Sequence, residues 1–96
     1  MNDYSEGRDK MQAGVEILAM PRKGMGPMEV RLEPIVTGLR EPVRFKWYFG
    51  DGEESNAGIP PPHEYLAGVY SVILEVVDAS GRRYTASVGI DAAAPG

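Results

Sequence analysis

Hydrophobic and polar residues alternate along most of the chain. The alternation is clearest from Val43 to Phe49, where Val43, Phe45, Trp47 and Phe49 fall on one side and Arg44, Lys46 and Tyr48 on the other. Period two marks a half-buried strand, because successive side chains of an extended backbone point to opposite faces. The inner row holds the chain's only tryptophan with a phenylalanine two residues to either side, so this strand is expected to be the block around which the others pack. The same reading predicts a strand over residues 15–20, with Val15, Ile17 and Ala19 alternating with Glu16, Leu18 and Met20 until Pro21. A further strand is predicted over residues 28–36, where Met28, Val30, Leu32 and Val36 form a row. It is expected to break or bulge near Pro34, which has no N–H to give to a ladder. The longest strand is expected from Val69 to Val77. Tyr70, Val72, Leu74 and Val76 form one row and Val69, Ser71, Ile73, Glu75 and Val77 the other, and β-branched residues on both sides predict a central position. Asp78-Ala79-Ser80-Gly81 reads as a hairpin turn, after which Tyr84, Ala86, Val88 and Ile90 return as an inward row.

Between these runs the chain turns often, with 12 glycines and 8 prolines. Residues 21–27 and 37–42 read as connections, and residues 50–58 as a polar loop with room for a short edge strand near Glu53 to Ala57. Pro60-Pro61-Pro62 holds polyproline II and crosses between elements without pairing, and residues 63–68 form a turn with its bend at Gly68. No stretch carries a helical period. About six or seven short strands in one domain predict an all-β sandwich with antiparallel, Greek-key connections. The domain is expected over residues 14–90, after a loose polar leader at 1–13 and before a small-residue linker end at 91–96.

Composition narrows the function classes. A net charge of −4 argues against a nucleic-acid partner, which calls for clustered excess cations. With no cysteine there is neither disulfide nor thiolate metal site. The first ten residues are too polar for a signal peptide, and no apolar run approaches the roughly 20 residues that span a bilayer, so membrane insertion is not expected in this segment. The chain reads as a module of a longer protein, monomeric when isolated.

Several motifs, taken together, resemble one family. Trp47-Tyr48-Phe49-Gly50-Asp51-Gly52 is followed by Pro62-His63-Glu64-Tyr65, Gly68-Val69-Tyr70-Ser71-Val72, Leu74-Glu75-Val76 and Asp78-Ala79-Ser80-Gly81. In order and spacing these resemble the PKD (polycystic kidney disease) domain, over roughly residues 14–90. Tyr48 stands where that family usually has an acidic residue, which weakens any metal role borrowed through this position. The resemblance implies an immunoglobulin-like β-sandwich of about seven strands, a bead in an extracellular or surface-anchored protein. It also implies a non-catalytic spacer or contact surface for neighbouring domains, proteins or polysaccharides, often beside the catalytic domain of a secreted hydrolase.

Individual residues are weighed against plainer roles. Trp47 could stack on a sugar, but its place in the Val43–Phe49 alternation makes it core. Phe49 belongs to the same row, and Gly50, Asp51 and Gly52 read as a turn in which Asp51 accepts backbone hydrogen bonds. Calcium could be held through Asp51 or Asp78, yet Asp51, Glu53, Glu54 and Asn56 lack the spacing of a dedicated loop, so no metal or other cofactor is assigned. His63, the sole histidine, has no recognisable nucleophile or zinc partner and is expected to satisfy backbone groups after the prolines. Tyr65, just ahead of Gly68, is expected to form a tyrosine corner, while Tyr70 belongs to the core row. Adjacent Glu53 and Glu54 point apart in an extended loop, which leaves a glycosidase pair unsupported. The chain is therefore read as no enzyme. Its candidate interaction surface is the outward set of Tyr48, Ile73 and Val77 with Arg44 and Lys46.

Overall fold

A computed structural model describes residues 12–95. Eight strands form two sheets and no helix occurs among the described residues: β1 (Gly14–Met20), β2 (Lys23–Met25), β3 (Met28–Thr37), β4 (Arg44–Tyr48), β5 (Glu54–Ser55), β6 (His63–Tyr65), β7 (Gly68–Val77) and β8 (Arg83–Ala93). One sheet has the order β1-β3-β6 and the other β2-β8-β7-β4-β5. The chain changes sheet between β1 and β2, β2 and β3, β3 and β4, β5 and β6, and β6 and β7, and the inner faces of the two sheets enclose one core. The sandwich expected from the alternation is the architecture found.

The core follows from the period-two rows. Met28, Val30 and Leu32 of β3 and Ala19 of β1 are buried from one sheet, and Val72, Leu74 and Val76 of β7 with Ile90 and Ala92 of β8 from the other. Trp47 lies between them with no solvent exposure, paired across its ladder with Leu74, and its indole N–H donates to the Ala57 carbonyl at 2.9 Å. That bond resolves the one polar group a buried indole carries. β7 is central in its sheet, as its two-sided hydrophobicity requires, although β8, with 11 residues, is the longer strand.

The structure corrects the strand inventory. Eight strands replace about seven, because residues 23–25, expected as turn, form β2, which runs parallel to residues 91–93 of β8. Two backbone bonds flank that pairing, from the Gly26 N–H to the Ala93 carbonyl at 2.8 Å and from the Asp91 N–H to the Arg22 carbonyl at 2.8 Å. The same pairing overturns the linker expected at 91–96: β8 runs on to Ala93, Ala92 is buried, and the strand faces Gly68 and Val69 of β7. The leader expected at 1–13 lies, up to residue 11, outside the described residues.

Residues 63–65, expected as a turn, form β6 against Met28, Glu29 and Val30. The preceding Pro60-Pro61-Pro62 has no N–H to donate, so the β3–β6 ladder stops at Val30 and His63. Beyond Val30, β3 is flanked by β1 alone. This explains why Pro34 neither breaks nor bulges the strand: β3 continues to Thr37, with Pro34 opposite Ile17, and its other side has no partner to lose.

Replacing Trp47 by Ala is expected to cost about 3–5 kcal/mol in denaturant unfolding, a loss comparable with the whole stability of a small domain. Gly50→Ala is expected to destabilise as well. At φ 88° an added Cβ meets the Ser71 carbonyl oxygen of β7, so a fall in the unfolding midpoint without a change in slope is the outcome to look for.

Candidate functional site

Three places in the sandwich gather chemically active side chains. The first is the turn after β4. Phe49 leaves that strand buried, and its N–H donates to the Glu53 carbonyl at 3.0 Å, closing the loop over Gly50-Asp51-Gly52. One carboxylate oxygen of Asp51 accepts from the Glu53 N–H at 3.1 Å and the other from Nε2 of His63 at 2.7 Å. The His63 ring lies flat on Phe49, with centroids 4.0 Å apart and planes at 13°, and meets Tyr65 edge-on at 4.9 Å. Tyr65 in turn packs against Tyr70 at 4.7 Å. Four rings thus form one row, His63 and Tyr65 of β6 in the middle, with Phe49, just past β4, at one end and Tyr70 of β7 at the other.

This arrangement changes two expectations. His63 does not satisfy backbone groups after the prolines; its partner is the Asp51 carboxylate, because β6 pairing aims the ring at the turn of the other sheet. The tyrosine corner belongs to Tyr70 and not to Tyr65. The Tyr70 hydroxyl donates to the Leu66 carbonyl four residues upstream at 2.8 Å, while Tyr65 reaches across the sandwich to the Phe49 carbonyl at 2.8 Å. Burial pushes the Tyr65 hydroxyl well above the usual phenol range, with the nearby Asp51 carboxylate and Tyr70 adding to the rise. For Asp51, partial burial works upward, but the hydrogen bond from His63, the Glu53 amide and the His63 charge outweigh it and hold the carboxyl below its ordinary value.

The second place is the outer face of the five-stranded sheet. Register puts Arg44 opposite Val77, Lys46 opposite Glu75 and Tyr48 opposite Ile73, so all five expected surface residues share one face of two neighbouring strands. Tyr48 and Ile73 are exposed by 36% and 41%, whereas Val77 is half-buried. Two ion pairs missed by the sequence reading frame them: Lys46 with Glu54 at 3.0 Å and Arg83 with Glu75 at 2.7 Å. The signal for the second was present, since a ten-residue antiparallel hairpin closed at Asp78 sets the acid of β7 and the base of β8 on one face. The Lys46 ammonium also stands 5.8 Å from the Tyr48 ring centre, and its pKa is raised, chiefly by the hydrogen bond to Glu54.

The third place is the β7–β8 hairpin. Asp78 is 7% exposed, and its Oδ1 accepts from the Ser80 N–H at 3.0 Å, the Ser80 hydroxyl at 2.7 Å and the Arg82 N–H at 3.0 Å. The Ser80 hydroxyl bond is the main reason its carboxyl is held below the usual range, with the Arg82, Ser80 and Arg40 amides adding to it against burial. A cleft of about 380 Å³ opens beside it, lined by Arg40, Asp78, Ser80, Arg82 and Tyr84 among others. A second cleft of about 380 Å³ follows the open edge of β3, between Arg31–Glu33 and the proline run.

No family model and no curated protein sequence matches the chain. Among solved structures, the PKD1 domain from the Vibrio cholerae metalloprotease PrtV superposes with a TM-score of 0.69 at 22% identity, covering 84% of this chain and 96% of that domain. The fold is that of a PKD domain. Within the PKD fold, the segments that carry the sequence resemblance meet in space. Trp47 to Gly52 and His63 to Tyr65 are joined through the Asp51–His63 and Tyr65–Phe49 hydrogen bonds, and Gly68 to Val72 adds Tyr70 to the same row of rings.

The calcium expectation meets competition at both acids, since His63 occupies one oxygen of Asp51 and three donors converge on one oxygen of Asp78. Glu53 is exposed and Glu54 is engaged by Lys46, so the adjacent pair does not face a common point. The melting temperature is expected to be the same in calcium and in chelator; a rise with calcium would show a site in the native state.

Stability should also depend on pH at both extremes. Asp51 and Asp78 have folded pKa values below the unfolded value near 4, so their contribution is complete above about pH 4 and is lost as pH falls through the lower folded values. Tyr65 is the opposite case. Its contribution is complete below the unfolded phenol value near 10 and is lost as pH rises above it. Tyr65→Phe is expected to lower stability by about 1 kcal/mol at neutral pH and to flatten the alkaline limb, both read from urea unfolding across pH.

Proposed function

We propose that this domain is a non-catalytic β-sandwich module of an extracellular or cell-surface multidomain protein, acting as a spacer and as a protein-interaction, adhesion-type surface. The observation that carries the reading is the placement of the two ends of the sandwich. Ala13, just before β1, lines the cleft beside the Asp78–Arg82 hairpin, whereas β8 ends at Ala93, beside Gly26 and next to the Gly68 end of β7. Entry and exit are thus separated by the ten-residue length of β7, roughly 30 Å at strand rise. Force applied through the ends would load β1 against β3, and β8 against β7 and β2, along their ladders, so many hydrogen bonds must yield together. A spacer needs this geometry and no pocket.

Non-catalytic character is supported by the state of the single histidine. Its Nε2 bonds to Asp51 and its ring is held between Phe49 and Tyr65, and no serine or threonine hydroxyl bonds to it among the described residues. A base oriented by an acid still lacks a nucleophile to activate. The export of the parent protein rests on the likeness to PKD domains, which favours extracellular and surface-anchored arrays. Pulling on tandem copies of the domain should give single-step unfolding events, each releasing on the order of 25 nm of chain. Extension without such events would remove the spacer reading.

A second reading, a polysaccharide-binding accessory module of a secreted hydrolase, is favoured by one specific feature. Tyr48 presents a ring on a flat sheet face beside Lys46 and Ile73. If that platform binds, the domain is retained on insoluble glycan and Tyr48→Ala is not; absence of retention on a panel of glycans eliminates it.

A further inference from the structure

The outer face of the three-stranded sheet mixes exposed apolar groups with charge of one sign. Register sets Glu16 opposite Ile35, Leu18 opposite Glu33 and Met20 opposite Arg31, so acid and apolar positions interleave across β1 and β3. Glu29 and Glu64 add a further pair of acids where β3 meets β6. Four glutamates against one arginine put three of the chain's four net negative charges on this one face. On the outer face of the other sheet, by contrast, Lys46 and Arg83 neutralise Glu54 and Glu75.

The apolar groups here stand in water. Leu18 and Ile35 are exposed, and Met20 is 57% exposed. Beside Met20 the face opens into the cleft of about 380 Å³ along the proline run, whose apolar walls are Met20, Pro21, Ile59, Pro60 and Pro62. Ile59, at 66% exposure, stands at its mouth. A contiguous set of exposed apolar groups of this kind marks a contact surface. Pro34 and the donor-less proline run leave little ladder for a visiting strand, so recognition falls to side chains.

These side chains define what fits. An acidic partner is repelled, and a wholly apolar one strips water from carboxylates without replacing it. A wholly basic one leaves Leu18, Met20, Ile35 and Ile59 uncovered. None of the residues named offers an aromatic ring on which a sugar could stack. Lysine or arginine interspersed with aliphatic residues satisfies both sets, because the long stems of the basic side chains lie on apolar surface while their heads reach the carboxylates.

We propose that this face and its cleft dock a partner protein through a basic segment that also carries aliphatic side chains. The site rests on the protein-contact part of the function proposed above, but it shares no residue with the Tyr48 face and takes no part in bearing force, so each can fail alone. Exposed charges carry part of the attraction, and affinity falls with added salt.

The test uses a displayed library of random dodecapeptides selected on the full chain at low salt. Enriched peptides are expected to combine several lysines or arginines with leucine or isoleucine, and to bind the isotope-labelled full chain with a Kd of about 0.1 mM or tighter. Amide shifts should fall on residues 16–20, 29–35 and 59, and salt at about 0.5 M should weaken binding by about tenfold. Glu29→Lys combined with Glu33→Lys should weaken it by about tenfold, and Leu18→Ser, at an exposed position, by about threefold, both with an unchanged melting temperature, while Tyr48→Ala binds as the parent does. Four outcomes overturn the proposal: enrichment without a basic and aliphatic consensus, shifts that fall on other residues, undiminished binding by both variants, or self-association of the free chain through these same residues.

Discussion

Three consecutive prolines set the terms for the rest of this sandwich. Because Pro60-Pro61-Pro62 cannot donate, β6 pairs with β3 over three residues only, and backbone hydrogen bonding alone gives the three-stranded sheet a short hold on that edge. The hold is completed by side chains that cross to the other sheet. Tyr65 reaches the Phe49 carbonyl, His63 reaches Asp51, and the rings of Phe49, His63, Tyr65 and Tyr70 fill the space between. Trp47 occupies the middle of the same core and is tied by its indole N–H to Ala57, in the segment leading to the prolines. The sequence motifs typical of a PKD domain are therefore one physical unit: a seam that closes the sandwich where ladder pairing runs out.

The same organisation accounts for how chemistry is distributed over the surface. Residues that look reactive in isolation, the single histidine and the Gly-Asp-Gly acid, are consumed by the seam. The chemically active side chains outside the seam lie on two other places: the outer face of β4 and β7, and the far end of the sandwich where the β3–β4 connection meets the β7–β8 hairpin. The face is flat and bears Tyr48 and Ile73 between ion pairs, which suits a broad contact. The hairpin end is concave and brings Arg40 and Arg82 beside Asp78 and Ser80.

Alternation made the large strands legible. β1, β4, β7 and β8 each turn inward the row that period two assigns, β3 does so from Met28 to Leu32 but leaves Val36 exposed, and the central place of β7 follows from its β-branched residues on both faces. What escaped was set by long-range pairing and not by local pattern. Lys23-Gly24-Met25 has no strand propensity of its own and becomes β2 only because the end of β8 offers it a parallel edge. Asp91-Ala92-Ala93 reads as linker because alanine gives no strand signal, yet two neighbouring strands hold it. His63 and Asp51 are 12 residues apart and meet only once the chain has crossed between sheets, so no local spacing could pair them. Likewise, Tyr70 takes the corner because it opens β7 just downstream of Leu66, while Tyr65 is carried by β6 across to Phe49, a strand that reading residues 63–68 as one turn does not reveal.

The lengths of the outermost strands have a bearing on crowding. The five-stranded sheet is bordered by β2, with three residues, and β5, with two, and in the three-stranded sheet β6 is equally brief while β3 meets its open side with Pro34. The longer borders are β1, with seven residues, and the stretch of β8 from Arg83 to Ile90, which β2 leaves uncovered. Short or proline-marked borders give an extended polypeptide little to zip onto. Like copies held side by side on one surface would thus find only those two borders, β1 and the uncovered part of β8, along which to fuse into a shared sheet.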